Sequence, residues 1–278
     1  MDIPNPDYQM PKFLGGHVWL GGAGPGDPGL LTLLGAYALQ HADIVVYDAL
    51  VSAEILQMAG PRAVLKYAGK RGGKPSTKQR DITLSLIEFA REGKRVLRLK
   101  GGDPFIFGRG GEETFLLAEA GIPFRVIPGV TSGIAAPAYA GIPLTHRDFN
   151  SVVTFLTGHG IGGDFPSSID WSIIAQGSPV IVMFMAMKHM PDIVPKLLEA
   201  GRSPDEPVAV ISQATTPDQR VLDTSLGSCV HDIQKSKIAP PAIIVVGEVV
   251  SLRPHLDWLS ALQGKPLLPL PNTERDAG

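Results

Sequence analysis

The sequence predicts an α/β protein of two α/β domains with mainly parallel sheets and a ligand site in the cleft between them. Three observations carry that expectation. Short apolar runs rich in β-branched residues alternate with longer helical patterns, the rhythm of parallel sheet with helices on its faces. Four candidate strands precede the segment AGIPLTHRDFN (140–150) and four follow it, which makes it a natural hinge. Glycine-rich loops stand where candidate strands end, the side of an open α/β sheet that receives ligands.

In order along the chain, the proline-bearing arm 1–15 is expected to be loose. The N-terminal domain is set at 16–141. Its strands are His17–Leu20, Ile44–Tyr47, Val96–Leu99 and Phe124–Ile127, and its helices are Leu30–Gln40, Gln79–Glu92 and Gly111–Ala120. The C-terminal domain is set at 148–254. It has strands Val152–Thr157, Val180–Met185, Val208–Ser212 and Ala242–Val246, with helices Met190–Ala200 and Cys229–Lys237. The proline-rich tail 264–278, GKPLLPLPNTERDAG, is expected to be loose.

Composition excludes several classes. Hydrophobic residues are 44% and charged residues 19%, which fits a globular enzyme. A net charge of −2 provides no basic field for nucleic acid. The single cysteine, Cys229, leaves no internal disulfide and suits a reducing compartment. The N-terminus MDIPNPDYQMPKF lacks the basic-then-apolar order of a signal peptide, and no apolar run reaches the roughly 18 residues of a membrane span. A soluble, cytoplasmic protein without membrane contact is expected. The seven histidines are scattered without ligand spacing, so no metal site is expected.

The first glycine loop, Gly24-Pro25-Gly26-Asp27-Pro28-Gly29, formally matches the dinucleotide fingerprint, with Asp48 where a ribose-binding acid would stand. Its chemistry argues otherwise. Backbone N–H groups at a helix start receive a pyrophosphate, and Pro25 and Pro28 have none to give. Asp27-Pro28 reads instead as an N-cap and first-turn pair. The second loop lies in LRLKGGDPFIFGRGGEE (97–113), where two glycines separate a strand from Asp103-Pro104. Between Ile55 and Arg80 seven Lys/Arg occur without an acid, which is either a solvated loop or an anion trap at a site mouth.

Taken together, GAGPGDPGLLT, VYDALVS, GKR, RLKGGDPFIFGRGGEE, IPGVTSGIAAPAYAGIPLTHR and SPVIVMFMAM resemble the tetrapyrrole methyltransferase family from about Gly15 to Val250. The resemblance implies the tetrapyrrole methylase fold, a homodimer, and S-adenosylmethionine as methyl donor with S-adenosylhomocysteine as product. It also implies two methyl transfers, to carbons 2 and 7 of uroporphyrinogen III, giving precorrin-2 through precorrin-1 on the way to sirohaem or cobalamin. Gly101, Gly102, Asp103 and Ile106 match the loop against the cofactor. Pro25, Thr131, Ser132, Met185, Ala214, Pro241 and Ala242 match the remaining cofactor positions. Asp48 and Lys70 match the proton acceptor and donor. The octacarboxylate substrate gives the basic run a use, with Arg71, Lys74, Arg109 and Arg147 as candidate contacts. Lys74-Pro75 and Gly29 depart from the family pattern. Three other readings are a methyltransferase for a later precorrin, an NAD oxidoreductase and a non-catalytic tetrapyrrole carrier.

Overall fold

The computed structural model describes residues 9–69, 79–160 and 164–269. The chain divides into two compact units, Met1–Thr131 and Ser132–Gly278.

In the first unit the strands are β1 (Val18–Gly22), β2 (Ile44–Tyr47), β3 (Val64–Tyr67), β4 (Val96–Lys100) and β5 (Phe124–Ile127). They form one sheet in the order β3-β2-β4-β1-β5, every pairing parallel. Its helices are α1 (Leu33–His41), α2 (Ala53–Gln57), α3 (Gln79–Arg91) and α4 (Gly110–Glu119). Helices on both faces explain the near-continuous apolar strands. On one face Trp19, Leu97, Leu99 and Ile127 pack with Leu39 of α1 and Ile55 of α2. On the other, Val18, Leu20 and Val96 pack with Leu86 of α3 and Leu117 of α4. Neighbouring strands β1 and β4 therefore send their chains to opposite faces, which opens a crevice at their C-terminal ends. The arm expected to be loose is anchored at its end. Phe13 is buried and stacks on Trp19 with ring centroids 4.2 Å apart.

The second unit contains α5 (Ser132–Tyr139), β6 (Val153–Thr157), α6 (Trp171–Gly177), β7 (Val180–Phe184), α7 (Met190–Glu199), β8 (Pro207–Ser212), β9 (Arg220–Ser225), α8 (Cys229–Ser236), β10 (Ala242–Val246), α9 (Arg253–Leu256) and α10 (Trp258–Leu262). The sheet order is β6-β7-β10-β8-β9. Only β6 and β7 pair in parallel; β10 runs antiparallel to β7 and β8, and β9 antiparallel to β8. The short loop 213–219 between β8 and β9 explains part of this, since a parallel return needs a crossover of a dozen residues or so. Over both sheets, five of the eight pairings are parallel.

The units divide before the hinge expected at 140–150. Helix α5 is the cause: it packs on β7 and β10, with Ala136 inside the second unit's core. A Cβ on Gly133 would strike the Phe184 ring, so glycine permits that approach. Among the described residues, no helix is long and apolar enough to cross a membrane.

Candidate active site

Three loops leaving the C-terminal ends of β1, β4 and β5 meet backbone to backbone. Gly24 N donates to Gly102 O (3.2 Å) and Gly102 N returns a bond to Gly24 O (2.7 Å). Any Cβ on Gly22 or Gly129 would overlap the backbone around Gly102. Gly24 and Gly102 have φ of 75° and 65°, conformations that glycine adopts without strain. Asp103 locks the assembly. Its Oδ1 accepts from Phe105 N (2.8 Å) and its Oδ2 from Gly129 N (2.9 Å). Beyond it Phe105, Ile106 and Phe107 are exposed at the loop tip.

The donors of these loops are largely consumed internally. Ala23 N bonds Lys100 O, Gly101 N bonds Asp48 Oδ1, and Gly29 N bonds Asp27 Oδ1. A pyrophosphate needs free N–H groups at a helix start. Here Asp27 already caps a short 3-10 turn, Pro28–Leu30, with Pro28 in the first position, and Thr32 caps α1 by accepting from Gly35 N (3.1 Å). With these N–H groups taken up, the loops offer few donors to a phosphate, and a cationic ligand does not require them.

Asp48 directly follows β2 and bonds to Gly101 of the second loop. Its Oδ1 accepts from Gly101 N (3.3 Å) and Leu50 N (3.4 Å), while its Oδ2 faces Arg98 Nη2 at 3.6 Å. Arg98 donates from Nε to Glu113 Oε1 (3.0 Å), and Lys100 Nζ stands 3.5 Å from Glu113 Oε2. Gln79, the first residue of α3, donates to the same Oε1 (2.5 Å). Burial, and then the neighbouring Arg98, push the Lys100 amine below its ordinary range. A hollow of about 490 Å³ between α3 and α4 is lined by Gln79, Arg80, Thr83, Arg109, Glu112, Leu116 and Glu119. Arg109 forms a two-pronged pair with Glu112 (2.9 and 2.7 Å), and that bond holds the Glu112 carboxyl below its usual range.

Residues 17–229 match the family described as Tetrapyrrole (Corrin/Porphyrin) Methylases. The chain belongs to that family. It is 59% identical over 266 residues to a uroporphyrinogen-III C-methyltransferase of Sinorhizobium sp, covering 96% of this chain and 95% of the relative. The crystal structure of uroporphyrin-III C-methyl transferase from Thermus thermophilus complexed with S-adenyl homocysteine is 39% identical, with a TM-score of 0.73. That match covers 85% of this chain and 99% of the other. A cobalt precorrin-4 methyltransferase, a cobalamin biosynthetic enzyme, is 30% identical with a TM-score of 0.75, over 84% of this chain and 96% of its own.

In this tetrapyrrole methylase most of the positions expected to hold the cofactor fall in loops that follow strands. Pro25 follows β1, Gly101 to Ile106 follow β4, and Thr131 follows β5 and is buried. In the second unit Ser132 opens α5, Met185 follows β7 and is 46% exposed, and Ala214 follows β8. Pro241 O accepts from Gln213 N (3.0 Å), tying the Ala214 loop to Pro241-Ala242 at the start of β10. Six described non-glycine residues have positive φ: Phe107, Arg109, Met185, Gln213, Thr215 and Lys237. All but Lys237 stand at or near Ile106, Met185 or Ala214, and such strain collects at functional sites. Arg147 is exposed in a turn built around buried Asn150, whose Nδ2 donates to Leu144 O (2.8 Å). Lys70, Arg71 and Lys74 lie outside the described residues. Sequence reasoning missed Arg98, Lys100 and Glu113. An Arg-x-Lys strand followed by a glycine turn was the available signal.

Proposed function

We propose that the chain transfers methyl groups from S-adenosylmethionine to carbons 2 and 7 of uroporphyrinogen III, giving precorrin-2 by way of precorrin-1. The observation that carries the reading is the bond from Gly101 N to Asp48 Oδ1, which ties the expected base to the expected cofactor loop. The 59% identity to a uroporphyrinogen-III C-methyltransferase favours this substrate over a later precorrin. S-adenosylmethionine supplies, when bound, an electrophilic methyl group on a sulfonium centre.

The chain's residues divide the remaining work. The loops bearing Pro25, Gly101, Gly102, Asp103, Ile106 and Thr131, with Ser132, Met185, Ala214, Pro241 and Ala242, hold and orient the cofactor. Asp48 accepts the proton that the alkylated macrocycle must lose, a role typically worth roughly 10²–10⁴-fold. Lys70 is the proton donor of the same reading. Arg71, Lys74, Arg109 and Arg147 take substrate carboxylates. A homodimer and a cytoplasmic location complete the proposal, the first open to sedimentation analysis.

The test is anaerobic incubation with uroporphyrinogen III and methyl-labelled S-adenosylmethionine, with methyl groups in the product counted by mass. Two transferred methyl groups are expected. No transfer to uroporphyrinogen III, beside methylation of a later precorrin, would overturn the substrate assignment.

A further inference from the structure

The charges beneath the glycine loop form a closed set. Arg98, Lys100 and Glu113 are 2%, 3% and 0% exposed, on a sheet face otherwise lined by Val18, Leu20, Val96 and Leu117. Two cations meet two anions there, since Asp48 completes the set. A buried ion cluster is a poor source of stability compared with apolar packing of the same volume. Its geometry points to another use. Arg98 is fixed on three sides: Nε donates to Glu113 (3.0 Å), and Nη1 donates to the carbonyls of Val46 (3.3 Å) and Leu99 (3.2 Å). Nη2 then stands 3.6 Å from Asp48 Oδ2 as an ion pair, while backbone N–H groups hold Oδ1. One oxygen of the carboxylate is held by backbone donors, and the other lies beside the guanidinium charge. The planar, permanently charged guanidinium suits this better than an ammonium.

We propose that Arg98, held by Glu113, is a positioning residue for methyl transfer that fixes the orientation of the Asp48 carboxylate. The proposal rests on the reading of Asp48 as proton acceptor. In that step a C–H bond of the alkylated, cationic macrocycle breaks, its electron pair returns to the ring system, and the proton passes to Asp48. Misaiming a base costs turnover and leaves ligand binding intact, since proximity effects act on the reacting geometry.

The experiment compares Arg98→Met and Arg98→Lys, each alone and combined with Asp48→Asn. Arg98→Met leaves Lys100 opposite Glu113, so the substitution orphans no buried anion. Calorimetric affinity for S-adenosylhomocysteine, thermal unfolding, kcat and KM for uroporphyrinogen III are read for each variant. Arg98→Met is expected to lower kcat roughly 10- to 100-fold, with cofactor-product affinity and KM within about twofold and Arg98→Lys partly restored. In the Asp48→Asn background the same change should alter kcat less than about twofold, because residues acting as a unit are not additive. If Arg98→Met does not fold, Arg98→Lys carries the same comparison. An equal loss in both backgrounds, or wild-type kcat in a folded Arg98 variant beside an impaired Asp48→Asn, overturns the positioning role alone. Wild-type turnover in Asp48→Asn removes the acceptor reading and this proposal with it.

Discussion

Gly101 and Gly102 are adjacent, and each must be glycine for its own reason. A Cβ on Gly101 would lie 2.7 Å from Leu50 Cβ, whereas Gly102 has φ 65° and its backbone pairs with Gly24. Gly102→Ala is therefore strained by about 1–2 kcal/mol in the loop proposed to hold the cofactor. It should weaken S-adenosylhomocysteine binding roughly tenfold by calorimetry. Gly101→Ala displaces Leu50 and the N–H that holds Asp48, so it should lower turnover more than affinity. Equal effects on both quantities would contradict this division. Asp48→Asn keeps the shape but not the basicity, and a loss of roughly 10² or more in kcat is expected with product affinity unchanged. At this scale the glycine motifs were legible because GGDP and GPGDP carry their conformational demand in their residue types. Glu113 was not legible, since a glutamate in GGEE reads as a solvated first-turn acid. Its burial depends on Arg98 and Lys100, which reach it from a different element.

Between elements, the pair Asp43–Arg95 joins the entry of β2 to the entry of β4. Arg95 donates Nη2 to Oδ1 (2.6 Å), and both Nε (3.1 Å) and its backbone N (2.8 Å) to Oδ2. The side-chain bond from Arg95 is the main cause that draws the Asp43 carboxyl down from 3.8 to about 2. A depressed carboxylate contributes stability that is complete above the unfolded value and is lost as pH falls through the folded one. The window is thus about pH 4 to 2. The two side chains are 32% and 36% exposed, so solvent screening limits the contribution to roughly 0.5 kcal/mol. Asp43→Asn should remove that amount at neutral pH and flatten acid destabilisation inside the window, measured by urea unfolding across pH. The sequence showed eight of the ten described strands. The two it hid, β3 and β9, are sheet edges without a single buried residue, whereas the other two edges, β5 and β6, each bury one. Helix α5 was hidden by Gly133 and Pro137, which read as breakers.

For the molecule as a whole, the alternation of strands and helices made two α/β units legible, and the parallel first sheet followed from its apolar strands. The mixed second sheet was not legible, because strand direction there depends on how loop 213–219 folds back. A ligand that binds the native state shifts its unfolding by mass action, so S-adenosylhomocysteine at 100 times its Kd should add about 2.7 kcal/mol. For units of this size that raises Tm by roughly 5–10 °C, whereas NAD should leave it unchanged in the same scan. A reversed response would return the first glycine loop to the dinucleotide reading. The buried stack of Trp19 on Phe13 has an optical consequence. Of the chain's three tryptophans, Trp19 alone belongs to the first unit; Trp171 and Trp258 belong to the second. Replacing the latter two by phenylalanine leaves a single indole, 2% exposed and with the Arg125 guanidinium 5.3 Å from its ring. Its emission should move to the red only when the first sheet opens. Overlaying that transition on far-ultraviolet circular dichroism, which sees both sheets, would then report whether the two halves melt as one cooperative body or in succession.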